Sequence, residues 1–156
     1  SMDDNWASLE PGWKLVDPTL SASESIILQG GIDPNLSILV LLRGKRTVEI
    51  SAEAFSQHEQ IFERSLASVM RGSILDALSS NGMAVAAATD DQEALRICNL
   101  SIASGAIAAG ISGSGPSIAI VCFQDDSTSL SKLFSESGLG VISTGIYVKD
   151  EISGVQ

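Results

Sequence analysis

Gly110-Ile111-Ser112-Gly113-Ser114-Gly115-Pro116-Ser117 carries three glycines and three hydroxyls across the junction of two apolar runs, Ala106 to Ile111 and Ser117 to Phe123. The two runs read as strands, and the residues between them favour a tight, irregular turn. Glycine there lets the backbone take positive φ and approach a ligand closely, and successive N–H groups can then form an anion-binding nest. The same residues also suit a plain glycine-rich hairpin turn, and spacing alone leaves both readings open. A dinucleotide-binding fingerprint does not fit: the sixth position, counted from Gly113, is Ile118, and the segment from there to Phe123 reads as strand, whereas that motif must open a helix. Gly44-Lys45-Arg46 does not fit a P-loop, because it lacks the upstream glycine and the Ser or Thr after lysine.

Outward from this turn, Asp125 to Ser127 open a helix carrying Leu130, Leu133 and Phe134, with Gly138 at its C-terminus. A final strand is expected over Gly140 to Val148. Upstream, apolar residues recur with helical spacing from Phe55 through Phe62, Leu66, Met70, Ile74 and Leu78, after a Ser51 N-cap. This long helix is expected to end near Asn81-Gly82. A second helical stretch, Met83 to Ala88, breaks at Thr89-Asp90-Asp91, where a third begins and runs through Leu95, Cys98 and Ile102. Ser37 to Leu42 is apolar almost throughout, as in a strand covered on both faces, and a basic turn of Arg43, Lys45 and Arg46 closes it. Before residue 37 the chain is irregular, with short extended pieces at Trp13 to Val16 and Ser25 to Leu28. Helices alternating with mostly antiparallel strands predict an α+β fold, a ferredoxin-like antiparallel sheet packed against a helical layer.

The 156 residues suffice for one good core or two small ones. A formal net charge of −10, from 9 Lys plus Arg against 19 Asp plus Glu, opposes binding to a nucleic-acid backbone or an anionic membrane. An anionic substrate must therefore be held locally, by backbone N–H groups or by one or two placed cations. The two cysteines, Cys98 and Cys122, lie in no metal or redox spacing and read as buried, reduced core residues. His58 stands among Gln57, Glu59 and Gln60 with no ligand partner at i+4, which points to an exposed residue and to no metal site. Without an 18-residue apolar run or a basic-then-apolar leader, a cytoplasmic setting is expected.

The stretch Gly105 to Ser117 is similar to the third conserved motif of the GHMP-superfamily kinases. The form with Gly-Ser-Gly-Pro, together with Asn81-Gly82-Met83 and Glu93-Ala94-Leu95, most resembles the archaeal type of shikimate kinase and, next to it, homoserine kinase. The resemblance spans Ser37 to Val148. It implies the carboxyl-terminal domain of an ATP-dependent kinase that phosphorylates the 3-hydroxyl of shikimate in aromatic amino-acid biosynthesis, with homoserine as the alternative acceptor. It also implies that Gly113, Ser114, Gly115 and Ser117 help shape the nucleotide and substrate cleft. At the amino end, Asp3-Asp4-Asn5-Trp6-Ala7-Ser8 resembles the family's loop whose aspartate takes the proton from the substrate hydroxyl. Asp4 is the candidate base and Asp3 the fallback. This chain has Pro11-Gly12 where the family has Gly-Gly, and on these residues alone an acidic, disordered amino terminus reads equally well.

The family's phosphate-binding loop, Pro-x-x-x-Gly-Leu-x-Ser-Ser-Ala, occurs nowhere in this sequence. Ser1-Met2 reads as a remnant of expression cloning, and residues 1–36 are expected to continue from a preceding ATP-binding domain that holds ATP and Mg2+, with residues 37–156 forming the carboxyl-terminal domain. Such a piece is expected to be inactive alone, since phosphoryl transfer depends on positioning and charge neutralisation. Arg43, Lys45 and Arg46 are candidates to contact the carboxylate of shikimate, because an arginine fork matches a carboxylate, though a charged turn at a strand end is also an ordinary solvated feature. An apolar patch or an unpaired sheet edge would favour a homodimer. A non-enzymatic reading, a ferredoxin-like binding or oligomerisation module, stands beside the kinase.

Overall fold

The computed structural model describes residue 6, residues 9–45 and residues 50–149. Asp3, Asp4 and Arg46 lie outside the described residues. The chain divides into two compact units: Leu36–Thr144 is one, and the segments before and after it form the other. Residues 145–149, which the sequence assigns to the carboxyl-terminal domain, thus group with the amino-terminal segment.

In the smaller unit, β1 (Trp13–Val16) pairs antiparallel with β2 (Ile26–Gly30), placing Trp13 opposite Gly30. The indole requires glycine there, because a Cβ on Gly30 would lie 2.6 Å from its nitrogen. Trp6 donates its indole N–H to the buried hydroxyl of Ser25 at 3.2 Å, and that hydroxyl donates to the carbonyl of Ala22.

The larger unit runs β3 (Leu36–Leu42), α1 (Ala52–Gln57), α2 (Glu59–Met70), α3 (Ile74–Ala88), α4 (Gln92–Ala103), β4 (Ala108–Ile111), β5 (Ile118–Phe123), α5 (Gln124–Glu136) and β6 (Gly140–Gly145). Its sheet has the order β4-β5-β3-β6, with β5 antiparallel to both β3 and β4. Two crossovers, β3 to β4 through the helices and β5 to β6 through α5, around a central β3–β5 pair make this the ferredoxin-like arrangement. Leu39 and Leu41, opposite Ile120 and Ile118, point into one core with Ile97 and Cys98 of α4 and Leu130 and Phe134 of α5. The opposite face of β3 is covered less: Ile38 and Val40 are half-buried and Leu42 is exposed. Coverage of β3 on both faces, expected from its apolar run, is therefore complete on one face only.

The long helix expected from Phe55 to Asn81 is instead three. His58 ends α1 and begins α2, with its Nδ1 2.8 Å from the Ala54 carbonyl. Gly72, at φ +77, then turns the chain between α2 and α3. Conversely, Asn81-Gly82 does not end a helix, and α3 continues to Ala88. Gly82 has a packing role: a Cβ there would lie 2.6 Å from the Ile111 amide nitrogen, and one on Gly110 would lie 2.7 Å from the Leu78 carbonyl oxygen. The two glycines let helix and strand backbones touch, and the Ser79 hydroxyl accepts the Ala109 N–H of β4 at 3.1 Å. A glycine in a helical pattern can mark either a stop or a close contact, and at Gly82 it marks the contact.

Candidate functional site

Helix α3 ends in two backbone bonds, from Asp90 N–H to Ala87 and from Asp91 N–H to Ala86, with Asp90 left-handed at φ +51. This is the Schellman closure, in which a short polar residue substitutes for glycine. The next residue, Asp91, is already the N-cap of α4 and accepts the Ala94 N–H at 2.9 Å. One residue thus ends the turn after α3 and starts α4, which fixes its carboxylate near the end of β3.

Arg43, just past β3, reaches that carboxylate. Its Nη1 donates to Asp91 Oδ2 at 2.7 Å and its Nη2 to Asp91 Oδ1 at 2.8 Å, a two-bond fork. Nη2 also donates to Glu93 at 2.8 Å, and Nη1 to the carbonyl oxygen of Pro116 at 3.1 Å. The guanidinium therefore joins three parts of the fold: the end of β3, the start of α4 and the glycine-rich turn. Donation to Asp91 raises the Arg43 pKa above its ordinary value, and accepting those bonds from Arg43 holds the Asp91 carboxyl below its own. Each charge is favoured by hydrogen bonds to its charged form.

The β4–β5 connection closes with Ser112 N–H on the Ser117 carbonyl at 2.9 Å and Gly115 N–H on the Ser112 carbonyl at 3.0 Å. Gly113 and Gly115 take φ of +59 and +83, and the Gly115–Pro116 bond is cis. The positive φ values expected of this turn are thus present, and they require glycine. Ser112, Gly113 and Ser114 are exposed, and Ser117 is half-buried. A cavity of about 380 Å³ lies against the turn, lined among others by Arg43, Lys45, Asp91, Glu93, Ser114 and Gly115.

Of the residues singled out in the sequence, the structure brings Arg43, Lys45, Ser114 and Gly115 to this cavity. Gly113 and Ser117 belong to the turn without lining it. Arg43 is engaged on its fork by Asp91, and Lys45 is exposed. The residues missed were Asp91 and Glu93. A helix start at Asp91 was legible, but its pairing with a residue 48 positions away was not. His58 is half-buried instead of exposed. Among the described residues no group of three or more His, Cys, Asp or Glu is arranged to hold a metal ion, and no helix is long and apolar enough to cross a membrane.

No family model and no curated protein matches this sequence. Solved structures do. One is a homoserine kinase from Cytophaga hutchinsonii ATCC 33406, 18% identical, over 88% of this chain and 49% of that one, with a TM-score of 0.52. Another is a phosphotransferase related to the CoA biosynthesis pathway, 12% identical, over 78% and 41%, with a TM-score of 0.61. A third is a mevalonate kinase from methicillin-resistant Staphylococcus aureus MRSA252, 13% identical, over 74% and 43%, with a TM-score of 0.54. This chain spans less than half the length of each. At these identities the likeness is one of fold, and the fold is that of the carboxyl-terminal domain of GHMP-type kinases.

Proposed function

We propose that this chain is the carboxyl-terminal part of an ATP-dependent GHMP-type kinase that phosphorylates the 3-hydroxyl of shikimate. The observation that carries the proposal is the turn Ser112 to Ser117, shaped by two left-handed glycines, of which Gly115 lines a cavity at the start of α4, within a fold shared with small-molecule kinases. Homoserine is the second acceptor, favoured by the homoserine kinase whose likeness covers 88% of this chain. In this reading Gly113, Ser114, Gly115 and Ser117 shape one wall of the cleft, Lys45 and Arg46 supply positive charge to it, and Asp4, or Asp3 in its place, serves as the base. ATP and Mg2+ belong mainly to another domain, since no sequence in this chain matches the phosphate-cradling loop. The chain's own contribution is position: a turn fixed by its internal hydrogen bonds and left-handed glycines costs no reorganisation when charge develops on a ligand.

The test is coupled ADP release by the complete encoded protein, with shikimate and homoserine as acceptors in separate assays. Shikimate-dependent turnover supports the reading, homoserine-dependent turnover selects the second acceptor, and no turnover with either removes the kinase.

A further inference from the structure

An arginine has five N–H donors in one plane. In Arg43, Nη1 holds Asp91 and the Pro116 carbonyl, and Nη2 holds Asp91 and Glu93. The fifth donor, Nε–H, has no hydrogen-bond partner among the described residues, although it is buried in a side chain only 8% exposed. Buried donors are rarely left unpaired, and those that are ask for a reason. Nε–H and the outer N–H of Nη2 lie along one edge of the guanidinium, and such an edge takes a carboxylate or phosphate through two parallel bonds. Glu93 uses only half of it. Glu93 is also the loosely held partner, with its side chain 57% exposed against 18% for Asp91.

We propose that the Nη2–Nε edge of Arg43 is an anion site for the carboxylate or phosphoryl group of a ligand entering the cavity, with Glu93 as its displaceable occupant. Three features favour exchange. The site already accepts a second carboxylate beside Asp91, so a second negative charge is tolerated there. An incoming anion that takes Nε–H makes two bonds where Glu93 makes one. Lys45 is exposed on the same cavity, and the first turn of α4, where Glu93 stands, carries the positive end of the helix dipole. Asp91 and Pro116 keep the other edge, so the turn remains tied to β3 while the ligand is exchanged. The proposal rests on reading this cavity as a ligand cleft, and it does not depend on phosphoryl transfer.

The test tracks the Arg43 Nε–H resonance of the 15N-labelled chain during titration, first with inorganic phosphate and then with malonate. A saturable shift with at least one anion is expected, and whichever anion binds more tightly identifies the ligand chemistry. Glu93→Gln should tighten binding about tenfold, since it removes a charged competitor. Arg43→Lys should abolish saturation at the Ser114 and Gly115 amides. Glu93→Gln, at an exposed position, decides the test even if Arg43→Lys does not fold. An Arg43 Nε–H signal that stays still in both the parent and Glu93→Gln, or that only tracks the exposed Arg96 in an unsaturable drift, overturns the proposal. Saturable binding without phosphoryl transfer by the encoded protein would keep this site and remove the kinase, and transfer without binding here would do the reverse.

Discussion

Asp91 joins two roles in one carboxylate, because it caps α4 and takes both ends of the Arg43 fork. Asp91→Asn keeps a capping oxygen but leaves the buried Arg43 charge with the exposed Glu93 as its one ionic partner among the described residues, and should cost about 3 kcal/mol in urea denaturation. A loss below about 1 kcal/mol would show that solvent already screens the pair. The direction of the shift sets the sign of the pH effect. The folded pKa of Asp91 lies below the unfolded one, near 3.9, so the pair's contribution is present above that pH and is lost as pH falls through the folded value. Asp91→Asn should therefore flatten the acid limb of the stability profile below about pH 4, and an unchanged limb would assign the acid sensitivity elsewhere. Cys98 illustrates the opposite effect, since burial pushes its thiol up to about 11. It should resist alkylation at pH 8 until the chain unfolds, and rapid labelling of the native protein would contradict the packing described for α4.

At the scale of elements, the contact between α3 and β4 depends on two glycines. Gly82→Ala raises helix propensity by about 1 kcal/mol yet places a methyl group against the β4 backbone. The net effect should be a loss of more than about 2 kcal/mol in thermal or urea unfolding, because backbone cannot move aside as a side chain can. A neutral or stabilising outcome would mean that helix and strand are not in contact. This contact also shows what the sequence could convey. Strands β3 to β6 were legible to within a few residues from their apolar or β-branched runs, β1 and β2 as short extended pieces of an irregular segment, and α5 from its spacing. The division of the region from Ala52 to Ala88 was not, because Gly72 and Gly82 are the same residue in local terms. One turns the chain at positive φ in open space, and the other sits inside a helix against a strand far away in sequence. The glycine-rich turn was legible because its meaning is local. The Arg43–Asp91 tie was not, because it depends on where β3 and α4 are brought in three dimensions.

For the whole molecule, a chain of net charge −10 buries the positive charge of Arg43 and balances it on the spot with Asp91 and Glu93. An anionic ligand must then be held by groups close to it, against the field of the remainder. The ferredoxin-like sheet supplies the frame: β4 and β5 carry the turn, β3 carries the arginine, and α4 carries the acids. The role given to the turn, as a wall of a kinase's cleft, is tested most directly by comparing shikimate-dependent ADP release by the complete encoded protein with that of its Gly113→Val variant. A Cβ at Gly113 meets open space, so the fold should survive, while φ of +59 is strained for valine and the turn should change shape. Turnover is predicted to fall about a hundredfold or more with cooperative unfolding retained, as expected when positioning groups are misplaced. Equal turnover by the variant, or none by the parent with shikimate or homoserine, would contradict this role.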